Sequence, residues 1–306
     1  MTPPTRSSFR RKPPAPADAA AVAELLIAYE RSLYGETEYS LRDLEAEWET
    51  LDLARDALVL LDDERVVAFG LLEDRGDLWR IDAYVHPGEQ GRGLGTELVG
   101  ALEATAASRG ARRIQNGVAE PDEAGHRLLA GLGYRAVRVF RELRIDLELA
   151  PERPEWPNGL VPDEFDPDRD AVAFHAAQQA AFADHWEYRP RDLARWRELH
   201  LETEAFDPSL WRVVRAGDEI VAGAICEGNR YGGGWVSVLF TQRPWRAQGV
   251  GRALLRDAFW KFRDRGEPSA GLTVDAENTT GAFQLYESAG MRPVMGWVMH
   301  EKDGVG

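Results

Sequence analysis

The chain has 306 residues, 44% of them hydrophobic and 29% charged, which is typical of a soluble folded protein of about two domains. With 37 basic and 52 acidic side chains, its net charge of −15 argues against a broad surface for nucleic acid or anionic membranes. The sequence contains no uninterrupted apolar run of about 18 residues, the length needed to span a membrane. No signal-peptide pattern follows the basic N-terminus. The single cysteine, Cys226, is expected to be buried and inert, which fits a cytoplasmic protein.

The two halves of the chain repeat one another. Three pairs of segments recur at spacings of 155, 156 and 157 positions: 63–68 with 218–222, 90–95 with 246–251, and 132–134 with 289–291. A common spacing indicates a duplicated domain, and each half is long enough to form its own core. Because the segment 150–159 contains three prolines, we place the join there and predict domains at 1–150 and 151–306.

Both halves show the same order of predicted elements, from a first strand through two helices and three strands to a glycine loop. A long helix, a further strand, another helix and two last strands complete each half. The predicted bounds are 8–12, 41–49, 95–108 and 113–118 in the first half, and 159–165, 191–200, 210–215, 219–227, 235–241, 251–265 and 271–275 in the second. Asp18 and Asp168 are the predicted N-caps of the first helices, and Gly217-Asp218 is a predicted hairpin turn.

The glycine loop of the second half, residues 246–251, lies between a predicted strand and a predicted helix. Free backbone N–H groups and the positive end of the helix dipole favour an anion there, and Arg246 and Arg252 add positive charge. The loop has neither the third glycine of a dinucleotide fingerprint nor the Gly-Lys-Ser/Thr of a P-loop, so NAD and nucleoside triphosphates are not indicated. The alternatives are a different pyrophosphate ligand and a purely structural turn.

Taken with the segment 278–291, this loop resembles the signature of the GNAT superfamily of acyl-CoA-dependent N-acyltransferases. The resemblance covers nearly all of the second half. It implies an α/β fold of two tandem GNAT-like domains, each a mixed, mostly antiparallel sheet flanked by helices. It also implies acetyl-CoA as cosubstrate.

The resemblance assigns backbone amides from Gln248 to Ala253 to the pyrophosphate, and main-chain groups of Leu239 and Thr241 to the pantetheine arm, which Asn278 also approaches. The predicted cofactor-binding residues of the second half are Leu239, Phe240, Thr241, Arg246, Ala247, Gln248, Gly249, Val250, Gly251, Arg252, Ala253, Asn278 and Ala282.

Tyr286 is the predicted catalytic residue, which the resemblance places near the thioester sulfur. A helix over 280–289 would put Ala282, Leu285, Tyr286 and Ala289 on one stripe facing the sheet. The phenol could then protonate the departing thiolate. The alternative is a core tyrosine whose hydroxyl is hydrogen-bonded within the protein and has no catalytic role.

The first half has an equivalent glycine loop but lacks the polar side chains predicted to act in the second half. Its predicted cofactor-binding residues are Val85, Gln90, Gly91, Arg92, Gly93, Leu94, Gly95 and Thr96. At the common spacing, however, Tyr286 corresponds to Leu129 and Asn278 to Pro121. Neither can replace the lost polar group, so we expect a degenerate domain that binds a CoA-like anion at best and does not catalyse.

The acceptor side is predicted at the loop 184–190, where Asp184, Trp186 and Tyr188 offer charge and aromatic faces to a cationic amine. A solvated surface loop is the alternative. The tandem layout is similar to that of the mycothiol synthase family, but Trp235 stands where that family has a glutamate. We therefore expect Trp235 to border the acceptor and the amine to lose its proton through water, with Glu227 or His185 nearest.

The leading hypothesis is an N-acetyltransferase that moves an acetyl group to a primary amine of a small molecule, such as an aminated antibiotic or a metabolite, by direct attack. The alternative is a non-catalytic CoA-binding regulatory or assembly protein. The six histidines are scattered, so no metal is expected. No nucleic-acid or membrane partner is expected either, and the protein is expected to be a monomer or a homodimer.

Overall fold

The computed structural model describes residues 9–149, 151–160, 162–278 and 281–304. Position 8 of the predicted first strand, position 150 at the predicted join, and positions 279–280 of the predicted motif and last helix lie outside these residues. The chain forms two compact units, one of Met1–Arg138 with Trp297–Gly306 and one of Val139–Gly296.

The first unit follows the predicted element order. Its strands and helices are β1 (Arg10–Lys12), α1 (Ala19–Tyr34), α2 (Leu41–Trp48), α3 (Leu53–Asp56), β2 (Ala57–Asp62), β3 (Arg65–Arg75), β4 (Leu78–Val85), α4 (Leu94–Ser108), β5 (Arg113–Ala119), α5 (Glu123–Gly131) and the start of β6 (Arg135–Asp146). The sheet order is β1-β2-β3-β4-β5, with only β4 and β5 parallel. Buried residues of α1 and α2 pack against β2 and β3, and those of α4 pack in a separate cluster with β4 and β5.

The second unit repeats this order. It contains the rest of β6, then β7 (Pro162–Glu164), α6 (Pro167–Phe182), α7 (Leu193–His200), β8 (Arg212–Ala216), β9 (Glu219–Arg230), β10 (Gly233–Thr241), α8 (Val250–Asp264), β11 (Ser269–Asp275), α9 (Ala282–Ser288) and the start of β12 (Arg292–Asp303). The sheet order is β6-β11-β10-β9-β8-β7, with only β10 and β11 parallel. The predicted α/β class, with mixed and mostly antiparallel sheets, is confirmed.

Local capping explains where the helices begin. Asp18 occupies the predicted N-cap position of α1, but its side chain makes no capping hydrogen bond and instead accepts from Lys12 at 2.7 Å. In the second unit, however, Asp166 rather than Asp168 caps α6, because its carboxylate accepts hydrogen bonds from the backbone N–H groups of Asp168 and Arg169. Pro167 fills the first helical position, where no backbone donor is needed, so the helix starts two residues earlier than predicted.

The last strands differ from the prediction of two short strands in each half. Each half ends in one twelve-residue strand, β6 or β12. Residues 140–146 of β6 pair with β11 in the second unit, whereas residues 297–303 of β12 pair with β5 in the first. The compact units therefore do not divide at 150. Because the two halves are copies with equivalent last strands, local sequence does not specify which sheet each strand completes.

Truncation after Gly296 tests this exchange. We expect the shortened chain to lose several kcal/mol of unfolding free energy, since buried Met299 alone contributes about 2–5 kcal/mol. Seven residue pairs with β5 disappear as well. Urea unfolding measures the effect, and native-like stability of the shortened chain would contradict the pairing of β12 with β5.

Candidate active site

Two parallel strands of the second unit separate and open a cavity. β10 pairs with β11 only at Gly234–Ala270 and Trp235–Gly271. One residue further along, the register between β10 and β9 shifts between Val236 and Val238, which leaves Ser237 as the extra residue of a bulge. Beyond that point both strands line a cavity of about 770 Å³. The opening is thus a property of the sheet itself.

The glycine loop forms one end of this cavity. Gly249 is the N-cap of α8 with φ of 88°, and Ala247 has φ of 57°, so the backbone turns tightly and aims N–H groups outward. Arg246 holds the turn, because its Nε donates to the carbonyl of Thr241 at 3.1 Å and its Nη2 to that of Ala181 at 2.8 Å. Arg252 also lines the cavity. These groups together suit an anion.

A phenol on α9 forms part of the cavity wall. Tyr286, on α9, lines the cavity, although its ring is largely buried. Burial raises the pKa of Tyr286 to about 12, so its hydroxyl keeps its proton at neutral pH. Ala282 and Leu285 line the same wall, as the predicted helical stripe requires.

His185 lies near the glycine-loop end. It lines the cavity beside Phe182, with the two ring centroids 4.3 Å apart. Burial, assisted by the charge of Arg246, lowers the pKa of His185. The imidazole is therefore neutral at pH 7.

The first unit has a smaller cavity, of about 310 Å³, at its own glycine loop. The predicted residues that line it are Val85, Gln90, Gly91, Gly93, Leu94, Gly95 and Thr96. Arg92 is not among them, because Asp62 at 2.8 Å and Glu89 bind its guanidinium. Leu129 lines the wall, so this unit keeps the loop with less positive charge and without a phenol at the position equivalent to Tyr286.

Comparison with known proteins agrees with this geometry. The Acetyltransferase (GNAT) family matches residues 19–134 and again residues 171–291. The chain belongs to the GNAT acetyltransferase family. A mycothiol acetyltransferase from Thermobispora bispora is 33% identical over 239 residues, which cover 76% of this chain and 79% of that protein.

Two solved structures share the tandem arrangement. A GCN5-related N-acetyltransferase from Sphaerobacter thermophilus has a TM-score of 0.86 at 32% identity, covering 99% of this chain and 97% of its own. A tandem GNAT protein from the clavulanic acid biosynthesis pathway has a TM-score of 0.74 at 18% identity, covering 98% and 99%, and supports the fold alone. The protein is thus a tandem GNAT acetyltransferase.

Most residues predicted from the GNAT signature lie at the larger cavity. Those that line it are Leu239, Phe240, Thr241, Arg246, Ala247, Gly249, Gly251, Arg252, Asn278, Ala282, His185 and Tyr286. Val250 and Ala253 are buried in the core, so their predicted role concerns the backbone only. Gln248 is not among the lining residues, and its Nε2 donates to the carbonyl of Pro244 at 2.7 Å.

The predicted acceptor residues are less well placed, since Asp184, Trp186, Tyr188, Trp235 and Glu227 are not among the lining residues. Asp184 pairs with Arg243, and Trp186 packs against Phe140, whose ring centroid is 6.1 Å away. Phe140 does line the cavity. Trp186 therefore supports the wall from behind.

Glu227 and Trp235 form a second supporting group. One carboxylate oxygen of Glu227 accepts from the hydroxyl of Ser237 and the other from Arg230 at 3.2 Å. The Trp235 ring lies over Gly271, where an added Cβ would approach it to 2.6 Å, and it meets Tyr231 edge-on at 4.7 Å. Both oxygens of Glu227 are thus already engaged.

Sequence reasoning missed several lining residues: Phe140, Ala181, Phe182, Ser237, Thr273, Asp275 and Gln284. Ser237, Thr273 and Asp275 could have been found from strand alternation next to the glycine loop. Phe140 could not, because it belongs to a strand of the first half of the sequence that completes the second unit.

Within the described residues, no group of three or more His, Cys, Asp or Glu side chains could hold a metal ion. Searching the same residues for a membrane-spanning helix finds none that is long and apolar enough.

Cys226 is buried, and burial raises the pKa of its thiol. We expect Cys226 of the native protein not to react with a thiol reagent such as dithionitrobenzoate, because the reaction requires an exposed thiolate. One equivalent should react after unfolding in guanidinium. Rapid reaction of the native protein would contradict the buried position of Cys226 in β9. If the native protein does not react, assays that measure thiol released from acetyl-CoA have no background from Cys226.

Proposed function

We propose that the protein is an acetyl-CoA-dependent N-acetyltransferase that moves an acetyl group to the primary amine of a small molecule by direct attack. The observation that carries this proposal is the single cavity that runs from the glycine loop, along the separated strands β10 and β11, to the phenol of Tyr286. It offers one ligand an anion site at one end and a proton donor on its wall.

The residues present fit acetyl-CoA. The N-terminus of α8, with Arg246 and Arg252, would hold the pyrophosphate. Gly251 keeps the groove open, because an added Cβ would lie 3.3 Å from Cδ2 of Leu285 and 3.5 Å from Oγ1 of Thr241. Beyond Ser237, the edge of β10 that faces β11 no longer pairs with it and offers main-chain groups to the pantetheine amides, and Asn278 lines the same cavity.

The acceptor is a small amine. The net charge of −15 attracts cations, and carboxylates such as Asp275 lie at the cavity. Because named relatives are mycothiol acetyltransferases, a mycothiol-related amine belongs among the candidates, together with aminated antibiotics and other metabolites. Trp235, in place of a carboxylate, argues for a different acceptor or a different base.

Direct attack is favoured over a covalent enzyme intermediate. Cys226 is buried in β9, and burial raises its pKa, so it cannot serve as an acyl carrier. The amine nitrogen would attack the thioester carbon, and Tyr286 would protonate the departing sulfur. The first unit, which has Leu129 at the equivalent position, binds a CoA-like anion at best and contributes no turnover.

Thiol release from acetyl-CoA, measured with a panel of amines including glucosamine, tyramine and agmatine, tests the proposal. We expect release that depends on the amine and on the second-unit loop. Binding of acetyl-CoA without release for any amine would favour the alternative, a CoA-binding regulatory or assembly protein.

A further inference from the structure

A carboxylate that the sequence did not single out, Glu142, stands beside the inner end of the active-site cavity. In β6 it pairs with Thr273 of β11, and Phe140 pairs with Asp275. Phe140, Thr273 and Asp275 all line the cavity. Because alternate residues of paired strands share a face, Glu142 faces the same side of the sheet as these three. Glu142 is not itself among the residues that line the cavity, so it adjoins the lining through its paired neighbour Thr273.

Glu142 also marks a particular place along the cavity. Pairing of β10 with β11 ends at Trp235–Gly271, and Ser237 and Thr273 are the next residues on that face. Glu142, opposite Thr273, therefore lies level with the point where the strands begin to separate. The glycine loop lies at the other end, after Thr241. An acyl group whose carrier is anchored at the loop would reach this inner end.

One oxygen of the Glu142 carboxylate is hydrogen-bonded, and the other is not. Its Oε1 accepts a hydrogen bond of 2.6 Å from Nε of Arg144, and Nη1 of Arg144 donates to the carbonyl of Tyr231 at 2.6 Å. Throughout the described residues, no donor bonds its second oxygen. Burial raises the pKa of Glu142, and the charge of Arg144 opposes the rise, so the group is a stronger base than an ordinary glutamate.

Tyr286 lies on the opposite face from Glu142. Ile145 alternates with Glu142 and Arg144 to the other side of β6. A Cβ added at Gly290, just after α9, would lie 3.2 Å from Cδ1 of Ile145, which places the end of α9 on that side. A proton acceptor on one face and a proton donor on the other match the two sides of a direct displacement, where the amine enters and the thiolate leaves.

Two other candidates for a base are placed less well. Both oxygens of Glu227 are engaged by Ser237 and Arg230. His185 is neutral, but it lies toward the loop end, near Arg246, where the phosphates rather than the acyl group are expected. Glu142 alone of the three combines a free oxygen with the inner position.

We propose that Glu142 accepts the proton of the attacking amine and that Arg144 is its positioning residue, an inference that rests on the proposed function. The amine lone pair forms the C–N bond as the N–H proton moves to Oε2 of Glu142. The C–S bond breaks, its electron pair stays on sulfur, and Tyr286 gives that thiolate its proton. Solvent then takes the proton from Glu142 and returns one to Tyr286.

Burial and the charge of Arg144 set the pKa of Glu142, and other charged groups lie on the neighbouring elements. Arg144 lies on the same strand, Asp275 on β11, Glu227 and Arg230 on β9, and Arg292 at the start of β12. The loop after α6 adds Asp184, His185, Glu187 and Arg189. Since Arg144 bonds the carboxylate directly, its removal should raise the pKa of Glu142 further.

The decisive variant is Glu142→Gln, assayed with acetyl-CoA and whichever amine of the panel the wild type acetylates best. We expect kcat to fall by about 10²–10⁴-fold, with acetyl-CoA affinity unchanged by calorimetry. The rise of activity with pH that reports a carboxylate should disappear. Asp146→Asn is a matched change further along β6, where the paired residue Ser269, unlike Thr273, does not line the cavity, and it should leave both rate and pH profile unchanged.

Arg144→Gln separates positioning from mere support of the fold. We expect the acidic limb of its pH profile to move to higher pH, which a loss of stability alone would not cause. Wild-type turnover in Glu142→Gln, or loss of its acetyl-CoA binding, would overturn the role of Glu142 while leaving the proposed function in place. A wild type that releases no thiol with any amine would instead overturn the proposed function, and this inference with it.

Discussion

Tyr286→Phe is expected to lower kcat by about 10²–10⁴-fold while leaving the affinity for acetyl-CoA unchanged. The substitution removes one hydroxyl and keeps the buried ring, so the wall of the cavity keeps its shape. Without the phenol, the sulfur must leave as an unprotonated thiolate, and a positioned proton donor is worth this factor. Thiol release gives kcat, and calorimetry gives the affinity.

The same variant tests whether the two units are equal. If the first unit also catalysed, Tyr286→Phe would retain about half of the activity. We expect nearly all of it to be lost, because Leu129 has no proton to give. Tyr39→Phe, which removes a phenol that donates to Glu47 at 2.9 Å, is the matched control and should turn over normally. Half-activity in Tyr286→Phe would assign catalysis to both units.

The glycine loop and the phenol could be predicted because their signals are local. A turn that opens a helix needs glycine at Gly249, where φ is 88°, and an amphipathic stripe fixes the face of Tyr286. Both features depend on residues close together in the sequence. The cavity that joins them agrees with what these short segments indicate.

The exchanged strands and the position of Glu142 could not be predicted in this way. Pairing of β6 with β11 joins residues more than 120 positions apart. Because β12 is the equivalent last strand of the second half, the sequence pattern alone does not show which of the two strands pairs with β11. The bulge at Ser237 depends on the register of β10 against β9, which composition does not fix. Sequence reasoning therefore identified residues that line the loop end of the cavity and missed the carboxylate opposite Thr273.

Gly251→Val is expected to weaken acetyl-CoA binding by more than tenfold, which corresponds to about 1.4 kcal/mol or more. An added Cβ would point at Leu285 and at Oγ1 of Thr241, at 3.3 and 3.5 Å, with Leu239 at 4.0 Å. The two further methyl groups of valine must then extend into the groove between α8 and β10. Calorimetric titration of the folded variant measures the loss.

A graded series separates blocking of the groove from damage to the helix. Gly251→Ala adds only a Cβ, which would lie close to Leu285 and Thr241 but does not extend further into the groove. The affinity of this variant for acetyl-CoA should therefore lie between those of the wild type and Gly251→Val. Gly100→Val makes the same change on α4, where an added Cβ meets nothing within 4 Å, and should bind normally. Equal binding by Gly251→Val and Gly100→Val would remove the second-unit loop from the cofactor site, because the groove beside Gly251 would then hold no part of the ligand.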